Sequence, residues 1–238
     1  MNILFVGNSH TFFNDMVHTF ARLWEAGMGE KIHPVMICHP GMGFDYHLKE
    51  YFEIRYDLLY GGFDYAVFQQ KAHPFAGTEE DFAAGVKLAA LAKAGGTQPV
   101  FCLTWAEKIA PEHQETMNDF HDRLCAETGA ALSPVGRVWQ EALRLDPELP
   151  LYFADGEHAS VYGDYLIAAT HYRLFSGKSA LGLPNIGTDF FDPETKGIRE
   201  DPESGHILLD EAKCRTIQQA AENVFGAGSR PFFGKSAL

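Results

Sequence analysis

The sequence predicts an α/β protein of three layers, in which a mainly parallel sheet of five strands lies between two layers of helices. Short apolar runs alternate along the chain with longer segments of helical spacing. This alternation, at these lengths, is typical of a parallel sheet that helices cover on both faces. The 238 residues suit one domain of ordinary size and are enough to bury a large core.

The strands are predicted from short apolar runs that are rich in β-formers. The first run, 2–6, ends at Gly7, which indicates a buried strand followed by a turn. Similar runs follow at 32–38, 65–69, 99–103 and, more weakly, 131–133. Apolar residues recur at helical spacing between them, as around Phe20 and Phe120. In folds of this kind the active site lies beyond the carboxyl ends of the strands.

The last third of the chain carries a different pattern, because the strand signals stop at about residue 150. Segments 161–175 and 209–225 are predicted as helices. Segment 177–206 is rich in Gly, Pro, Asp and Glu, which predicts a long surface loop, a lid or an oligomer contact. We expect a single domain over 1–225 and a C-terminal tail at 226–238.

The net charge limits the classes of partner. Lys and Arg number 19 against 32 Asp and Glu, which gives a formal charge of −13. This charge repels phosphate backbones and anionic membrane surfaces, and the scattered cations form no basic patch to offset it. We therefore expect neither nucleic acid nor a membrane as partner. A neutral small molecule is the expected ligand. A homo-oligomer is possible, since the sequence does not decide the oligomeric state.

The sequence argues against a membrane-spanning protein and against a disulfide-rich one. No window approaches the ~20 apolar residues that cross a bilayer. Met1 leads into an apolar run with no basic segment, so a secretory signal is not predicted and a cytoplasmic location is expected. The four cysteines lack CxxC spacing, which indicates neither a zinc knuckle nor a disulfide scaffold.

A hydroxyl residue follows the first strand directly. Residues 7–11 read Gly-Asn-Ser-His-Thr, which places Ser9 at the carboxyl edge of the sheet and before a helix. Backbone N–H groups and the helix dipole at such a position stabilise a developing oxyanion, which suits a nucleophile. The alternative is an ordinary helix N-cap. The segment matches neither Gly-x-Ser-x-Gly nor the glycine-rich nucleotide loops.

An acid and a base lie together far along the chain. Asp155 and His158 are three residues apart in a loop before a predicted helix. This spacing lets the carboxylate fix the imidazole tautomer, which leaves the other ring nitrogen free to take a proton from a serine. Glu157 is a rival carboxylate, and Asp164 is a weaker rival. The alternative is a turn residue beside a solvated histidine.

Together these motifs resemble those of the SGNH/GDSL hydrolase superfamily. Gly7-Asn8-Ser9 matches the first block of that superfamily, and Asp155 to His158 matches the last. The resemblance implies a flavodoxin-like, three-layer domain and a catalytic triad of Ser9, His158 and Asp155. It also implies that the Ser9 N–H contributes to the oxyanion hole and that the mechanism needs neither a metal nor a cofactor.

The remaining oxyanion donors follow from the same resemblance. The second block of the superfamily is a glycine after the second strand, and Gly41 is favoured over Gly43. The third block is usually Gly-x-Asn-Asp, whereas this chain has no Asn there. Gln69 or Gln70 could supply the side-chain amide, as in branches that resemble carbohydrate acetylesterases, and His73 lies near the register of the missing Asn. Both glutamines stay candidates; the alternative for them is polar termination of a strand.

Other residues near this edge are candidates for substrate binding. They are His10, Gly43, His73 and Trp105, although a core position is the alternative for Trp105. A metal centre is not predicted, because H-E-x-x-H is absent and the other histidines show no convincing set of three ligands.

We therefore expect a serine esterase that hydrolyses a small acyl ester, above all an acetyl ester on a carbohydrate, through an acyl-enzyme. The alternative is a non-catalytic carbohydrate- or ligand-binding module on the same scaffold. The missing Asn favours that alternative, whereas the joint retention of Ser9, Asp155 and His158 opposes it. A phosphate or cofactor binder of flavodoxin type fits the first loop only loosely.

Overall fold

The structure, a computed structural model, describes residues 1–49, 51–188, 191–192, 197–198 and 205–226. The chain divides into two compact units. The first unit consists of Met1–Phe12, Lys31–Gly136 and Gly156–His158, and the second of Phe13–Glu30, Arg137–Asp155 and Ala159–Leu238. The predicted tail, 226–238, lies outside the described residues except for Gly226.

Strands and helices alternate through most of the chain, as the apolar pattern predicts. The strands are β1 Asn2–Gly7, β2 His33–Cys38, β3 Tyr65–Gln69, β4 Gln98–Cys102, β5 Ala131–Ser133, β6 Ile186–Thr188, β7 Phe191–Asp192, β8 Gly197–Ile198 and β9 His206–Leu208. The helices are α1 Ser9–Phe12, α2 Met16–Met28, α3 Phe44–Lys49, α4 Tyr51–Tyr60, α5 Glu79–Ala94, α6 His113–Thr128, α7 Val135–Leu145, α8 Val161–Ser176 and α9 Glu211–Phe225, and a short 3-10 helix covers Phe13–Asp15.

The first unit is built on a five-stranded sheet with the order β2-β1-β3-β4-β5. Every strand pair in this sheet is parallel, which confirms the predicted α/β class and the five predicted strands. In an open sheet of this order the chain reverses its direction of winding between β1 and β3. Ligand sites are therefore expected where the carboxyl ends of these two strands lie.

One face of the sheet is buried under helices of the same unit. Phe68 on β3 and Phe101 on β4 belong to a single apolar cluster with Leu88 of α5 and Leu124 of α6. These side chains are nearly inaccessible to solvent. Burial of each such side chain stabilises the fold by about 1.5–3 kcal/mol. This packing holds the strands of the sheet in place.

The second unit is mainly helical. α8 is buried along almost its whole length, and its N-terminus is capped by Ser160, whose Oγ accepts hydrogen bonds from the N–H groups of Tyr162 and Gly163. Among the described residues of segment 177–206, which is predicted as a loop, β6 pairs antiparallel with β9, and β7 pairs with β8. The sequence did not reveal these short strands, because they lie in or next to a segment rich in Gly, Pro, Asp and Glu.

His171 of α8 makes the stability of the second unit depend on pH. Burial lowers the pKa of His171 to about 3, against an ordinary value of 6.5. Because the folded pKa lies below the unfolded one, the stability is complete above pH ~6.5 and falls as the pH decreases towards 3. Each pH unit within this window removes about 1.4 kcal/mol.

Replacing His171 by phenylalanine is therefore expected to reduce the loss of stability on acidification between pH 6.5 and pH 4. Phe20 and Phe175 already contact the His171 ring, so an aromatic side chain suits the position. The measurement is urea unfolding at a series of pH values. His33→Ala, at an exposed position, is the control and should leave the pH dependence unchanged. Equal slopes for His171→Phe and the native protein would contradict the assignment.

No helix among the described residues is long and apolar enough to cross a membrane. The four cysteines carry free thiols.

Candidate active site

Ser9 is the first residue of α1, and Asn8 alone separates it from the end of β1. The N-cap role belongs to its neighbour, because Asn8 Oδ1 accepts a hydrogen bond from the His10 N–H at 3.0 Å. Asn8 is itself anchored, since its Nδ2 donates to the Met42 carbonyl at 2.8 Å. The capping alternative for Ser9 is therefore not needed, and its hydroxyl is available for another partner.

That partner is His158. The distance between Ser9 Oγ and His158 Nε2 is 2.8 Å, although the two residues are 149 positions apart in the chain. Both side chains are partly exposed, so a substrate can reach them. A serine hydroxyl within hydrogen-bond reach of an imidazole nitrogen is the arrangement that activates a nucleophile by general-base catalysis.

The segment that carries His158 is attached to the loop after β4. Trp105 Nε1 donates to the Glu157 carbonyl at 2.9 Å, and the Lys108 N–H donates to the Gly156 carbonyl at 2.9 Å. Two backbone carbonyls just before His158 are thus held by the same loop. The segment forms no helix or strand at His158, so these two hydrogen bonds position the imidazole.

Within the second unit, Asn14 holds Ala159, the residue after His158. Its Nδ2 donates to the Ala159 carbonyl at 3.0 Å, and the side chain is buried. Asn14 has a φ of 48°, a left-handed conformation that asparagine tolerates better than most residues. Sequence reasoning did not identify Asn14 as a positioning residue, because its role depends on a contact between distant parts of the chain.

The predicted third member of the triad, Asp155, is exposed and lies three residues before His158. Its rival Glu157 is also exposed. Asp164, the weaker rival, lies in the first turn of α8 and is buried. The assignment of Asp155 to the triad stays a prediction.

Gln69, one of the two predicted oxyanion donors, uses its side-chain amide for hydrogen bonds within the protein. Its Oε1 accepts hydrogen bonds from the Asn8 N–H at 3.0 Å and from Thr11 Oγ1 at 3.1 Å, and its Nε2 donates to the Gln70 carbonyl. Gly7 permits this approach, since a Cβ there would lie 2.7 Å from Gln69 Oε1. The Gln69 amide therefore connects β3 to the turn that presents Ser9.

Gln70, the other candidate, uses the oxygen of its side-chain amide within the protein but not the nitrogen. Its Oε1 accepts a hydrogen bond from the Phe44 N–H at 2.7 Å. Within the described part of the chain its Nε2 makes no hydrogen bond, although the residue is only 3% exposed. A Cβ at Gly43 would lie 2.6 Å from Gln70 Oε1, so Gly43 is the residue that lets Gln70 reach its place.

Gly41 lies in the turn after β2 and has a φ of 71°, in the left-handed region that favours glycine. It is exposed, and its N–H has no hydrogen-bond acceptor among the described residues. An N–H in this state is free to bind a ligand oxygen. The predicted preference for Gly41 over Gly43 as a backbone donor is compatible with these positions and stays a prediction.

Three of the predicted substrate-binding side chains lie inside the protein. Trp105 is 1% exposed, His10 is 8% exposed, and the ring of His73 is 2% exposed. Both ring nitrogens of His73 have partners, His10 Nε2 at 2.9 Å and the Trp105 carbonyl at 3.0 Å. The structure therefore places these residues behind the site, where they support it and have little surface for a ligand.

Burial keeps two histidines near the site in their neutral form. It lowers the pKa of His73, against the opposing effects of the Trp105 carbonyl and Glu107. Burial also lowers the pKa of His47, whose Nε2 donates to the Gly7 carbonyl at 2.8 Å. A neutral imidazole has one N–H and one lone pair, so each hydrogen bond assigns the position of a proton.

A cavity of about 310 Å³ lies beside Gln70 in the first unit. Gly41 and Gly43 also line it, together with the polar side chains of Tyr46, Lys71 and Asp81. The volume lies near the lower end of the range of about 300–1,000 Å³ that small-molecule sites occupy. The cavity therefore adjoins the residues with free amide and backbone donors.

A metal centre has no ligand set in the part of the chain that the structure describes, where no three His, Cys, Asp or Glu side chains come together suitably. His113 pairs with Glu107 at 2.8 Å, and His121 Nδ1 lies 2.8 Å from the Met117 carbonyl. These two histidines have structural partners.

No family model matches the sequence, and no curated protein matches it. Solved structures do match. A candidate SGNH hydrolase from Slackia heliotrinireducens is 25% identical, with a TM-score of 0.62 over 73% of this chain and 97% of that one. A DUF4886 family protein from Bacteroides uniformis is 18% identical, with a TM-score of 0.68 over 97% of this chain and 96% of that one.

A catalytic mutant of an acetylxylan esterase from Geobacillus stearothermophilus is 16% identical and has a TM-score of 0.59 over 72% of this chain and 92% of that one. These neighbours confirm the predicted likeness to the SGNH/GDSL hydrolases and the predicted three-layer fold. The predicted class of enzyme, a hydrolase of the SGNH type, agrees with the Slackia heliotrinireducens structure.

Proposed function

We propose that this protein, which has the fold of the SGNH hydrolases, is a serine esterase that uses Ser9 as nucleophile and His158 as general base. The observation that carries the proposal is the 2.8 Å distance between Ser9 Oγ and His158 Nε2. A binding protein has no need to bring a hydroxyl and an imidazole into this contact at the end of β1. A nucleophile requires it.

In the first half of the reaction His158 Nε2 takes the proton of Ser9 Oγ while the oxygen attacks the ester carbonyl carbon. The tetrahedral intermediate collapses when His158 returns this proton to the oxygen of the leaving alcohol, which leaves an acyl group on Ser9. Water then repeats the sequence, releases the acid and restores Ser9. Asp155 is proposed to orient His158 through its other ring nitrogen, as the spacing of the two residues suggests.

The oxyanion is proposed to bind three N–H donors. Two are the backbone N–H groups of Ser9 and Gly41, and the third is Gln70 Nε2. Gln70 is preferred to Gln69 because the Gln69 amide already makes three hydrogen bonds within the protein. Gln70 keeps its amide N–H groups available because its oxygen alone is held by Phe44.

The substrate is proposed to be a small acyl ester of a hydroxylated, uncharged alcohol, an acetylated sugar above all. The cavity beside Gln70 supports this, because charges of both signs line it and Lys49 is neutralised by Asp45 at 2.8 Å. Tyr46 and Lys71 offer hydrogen-bond donors for hydroxyl oxygens. A volume of about 310 Å³ suits one sugar ring better than a long acyl chain.

The test is labelling by a fluorophosphonate probe, which reacts only with an activated serine. We expect rapid, stoichiometric labelling of the native protein at Ser9 and none of Ser9→Ala. Ser179→Ala, at an exposed serine, is the matched control and should label fully. An inert Ser9 would favour the non-catalytic binding module that the absent third-block Asn suggests.

A further inference from the structure

Three imidazole rings lie in a row next to Ser9: His158, His10 and His73. The proposed mechanism uses only His158. The His10 ring stacks on that of His158, with 4.8 Å between the ring centroids and 21° between the planes. Beyond it, His10 Nε2 lies 2.9 Å from His73 Nδ1. His73 Nε2 in turn lies 3.0 Å from the Trp105 carbonyl.

The hydrogen bonds determine where the protons of His73 and His10 reside. A carbonyl oxygen only accepts, so the proton of His73 is on Nε2. Its Nδ1 is then an acceptor, because burial keeps the ring neutral by lowering its pKa. His10 therefore donates to this nitrogen from its Nε2.

The orientation of the His10 ring is defined by its other neighbours as well. Its Nδ1 lies 3.3 Å from Asn8 Oδ1, and the centroid of the ring lies 5.3 Å from that of Trp105. With contacts to Asn8, His73 and Trp105, the ring has little freedom to rotate. One face of a fixed aromatic ring is thus turned to His158.

We propose that His10, oriented by His73, is a positioning residue whose ring face holds the His158 imidazole in place beside Ser9 Oγ. The proposal rests on the proposed serine esterase. Asp155 is exposed, so its interaction with the His158 imidazole is screened by solvent. The buried His10 ring gives His158 a second support that solvent screens less.

The experiment compares His10→Phe with His10→Leu in the full chain. Both variants remove the hydrogen bond to His73, but phenylalanine keeps a ring face and leucine fills similar space without one. With p-nitrophenyl acetate we expect His10→Phe to keep kcat within about 5-fold, whereas His10→Leu loses about 10- to 100-fold with KM little changed. His33→Ala is the control for a histidine elsewhere in the same unit.

A spectroscopic measurement tests the same contact without substrate. The ¹⁵N shifts of His158 report its tautomer, and we expect the native pattern in His10→Phe and mixed tautomers in His10→Leu. Thermal unfolding checks that both variants are folded. Equal kcat values in the two variants, or native His158 shifts in His10→Leu, would overturn the proposal.

The two proposals fail in different ways. If Ser9→Ala hydrolyses esters as well as the native protein, the serine esterase is wrong, while the His158 shifts still decide whether His10 positions that ring. If hydrolysis depends on Ser9 but His10→Leu keeps the native kcat, only the role of His10 is wrong.

Discussion

Replacing His158 by alanine is expected to lower kcat for p-nitrophenyl acetate by about 10⁴-fold or more. His158 Nε2 is 2.8 Å from Ser9 Oγ and is the base that the proposed mechanism requires twice, once for each half of the reaction. Ser9→Ala should cost a similar factor, and the double variant little more, because residues that act as a unit do not contribute additively. The measurement is initial-rate kinetics on the purified variants.

The control for this prediction is His113→Ala. His113 is an exposed histidine of the same unit, and its partner is Glu107 rather than the nucleophile. We expect native kcat in this variant and native thermal stability within about 0.5 kcal/mol, as for most exposed substitutions. A fall of less than about 10-fold in His158→Ala would be too small for the loss of a general base and would exclude the mechanism.

Much of the fold follows from the sequence because the sheet is built from continuous apolar runs. β1, for example, is buried from Ile3 to Gly7, and such a strand must read as an uninterrupted apolar segment. β6 to β9 were not predicted, because these short strands lie in or next to a segment rich in Gly, Pro, Asp and Glu, a composition that predicts a loop. Their pairing depends on contacts between parts of the chain that local patterns do not report.

The candidate site was predictable where it depends on spacing and order, as for Ser9 and His158. It was not predictable where it depends on which atoms of a side chain are already bonded. Gln69 and Gln70 are neighbours of the same residue type, and only their partners distinguish them. Similarly, His10 follows Ser9 in the sequence and Trp105 lies in the loop after β4, but both side chains are buried.

The choice between these two glutamines leads to the second large effect. Gln70→Glu keeps an oxygen for the Phe44 N–H and loses the Nε2 donor, so we expect kcat to fall by about 10²–10³-fold, as for other lost oxyanion donors. Gln69→Glu adds the same charge at the next residue and replaces the hydrogen bond from Nε2 to the Gln70 carbonyl by an oxygen–oxygen contact. Its main expected effect is a loss of stability of about 1–3 kcal/mol.

Both variants are compared with the native protein by kcat for p-nitrophenyl acetate and by urea unfolding. Because each introduces one carboxyl group into a buried position of the same sheet edge, the change of charge is matched and the donor is the difference. We expect opposite effects in the two variants. In Gln70→Glu kcat falls while the free energy of unfolding changes little, whereas in Gln69→Glu the main change is a lower free energy of unfolding. If Gln69→Glu instead shows the larger fall in kcat while remaining folded, Gln69 is the third oxyanion donor, and the structural role assigned to its amide is wrong.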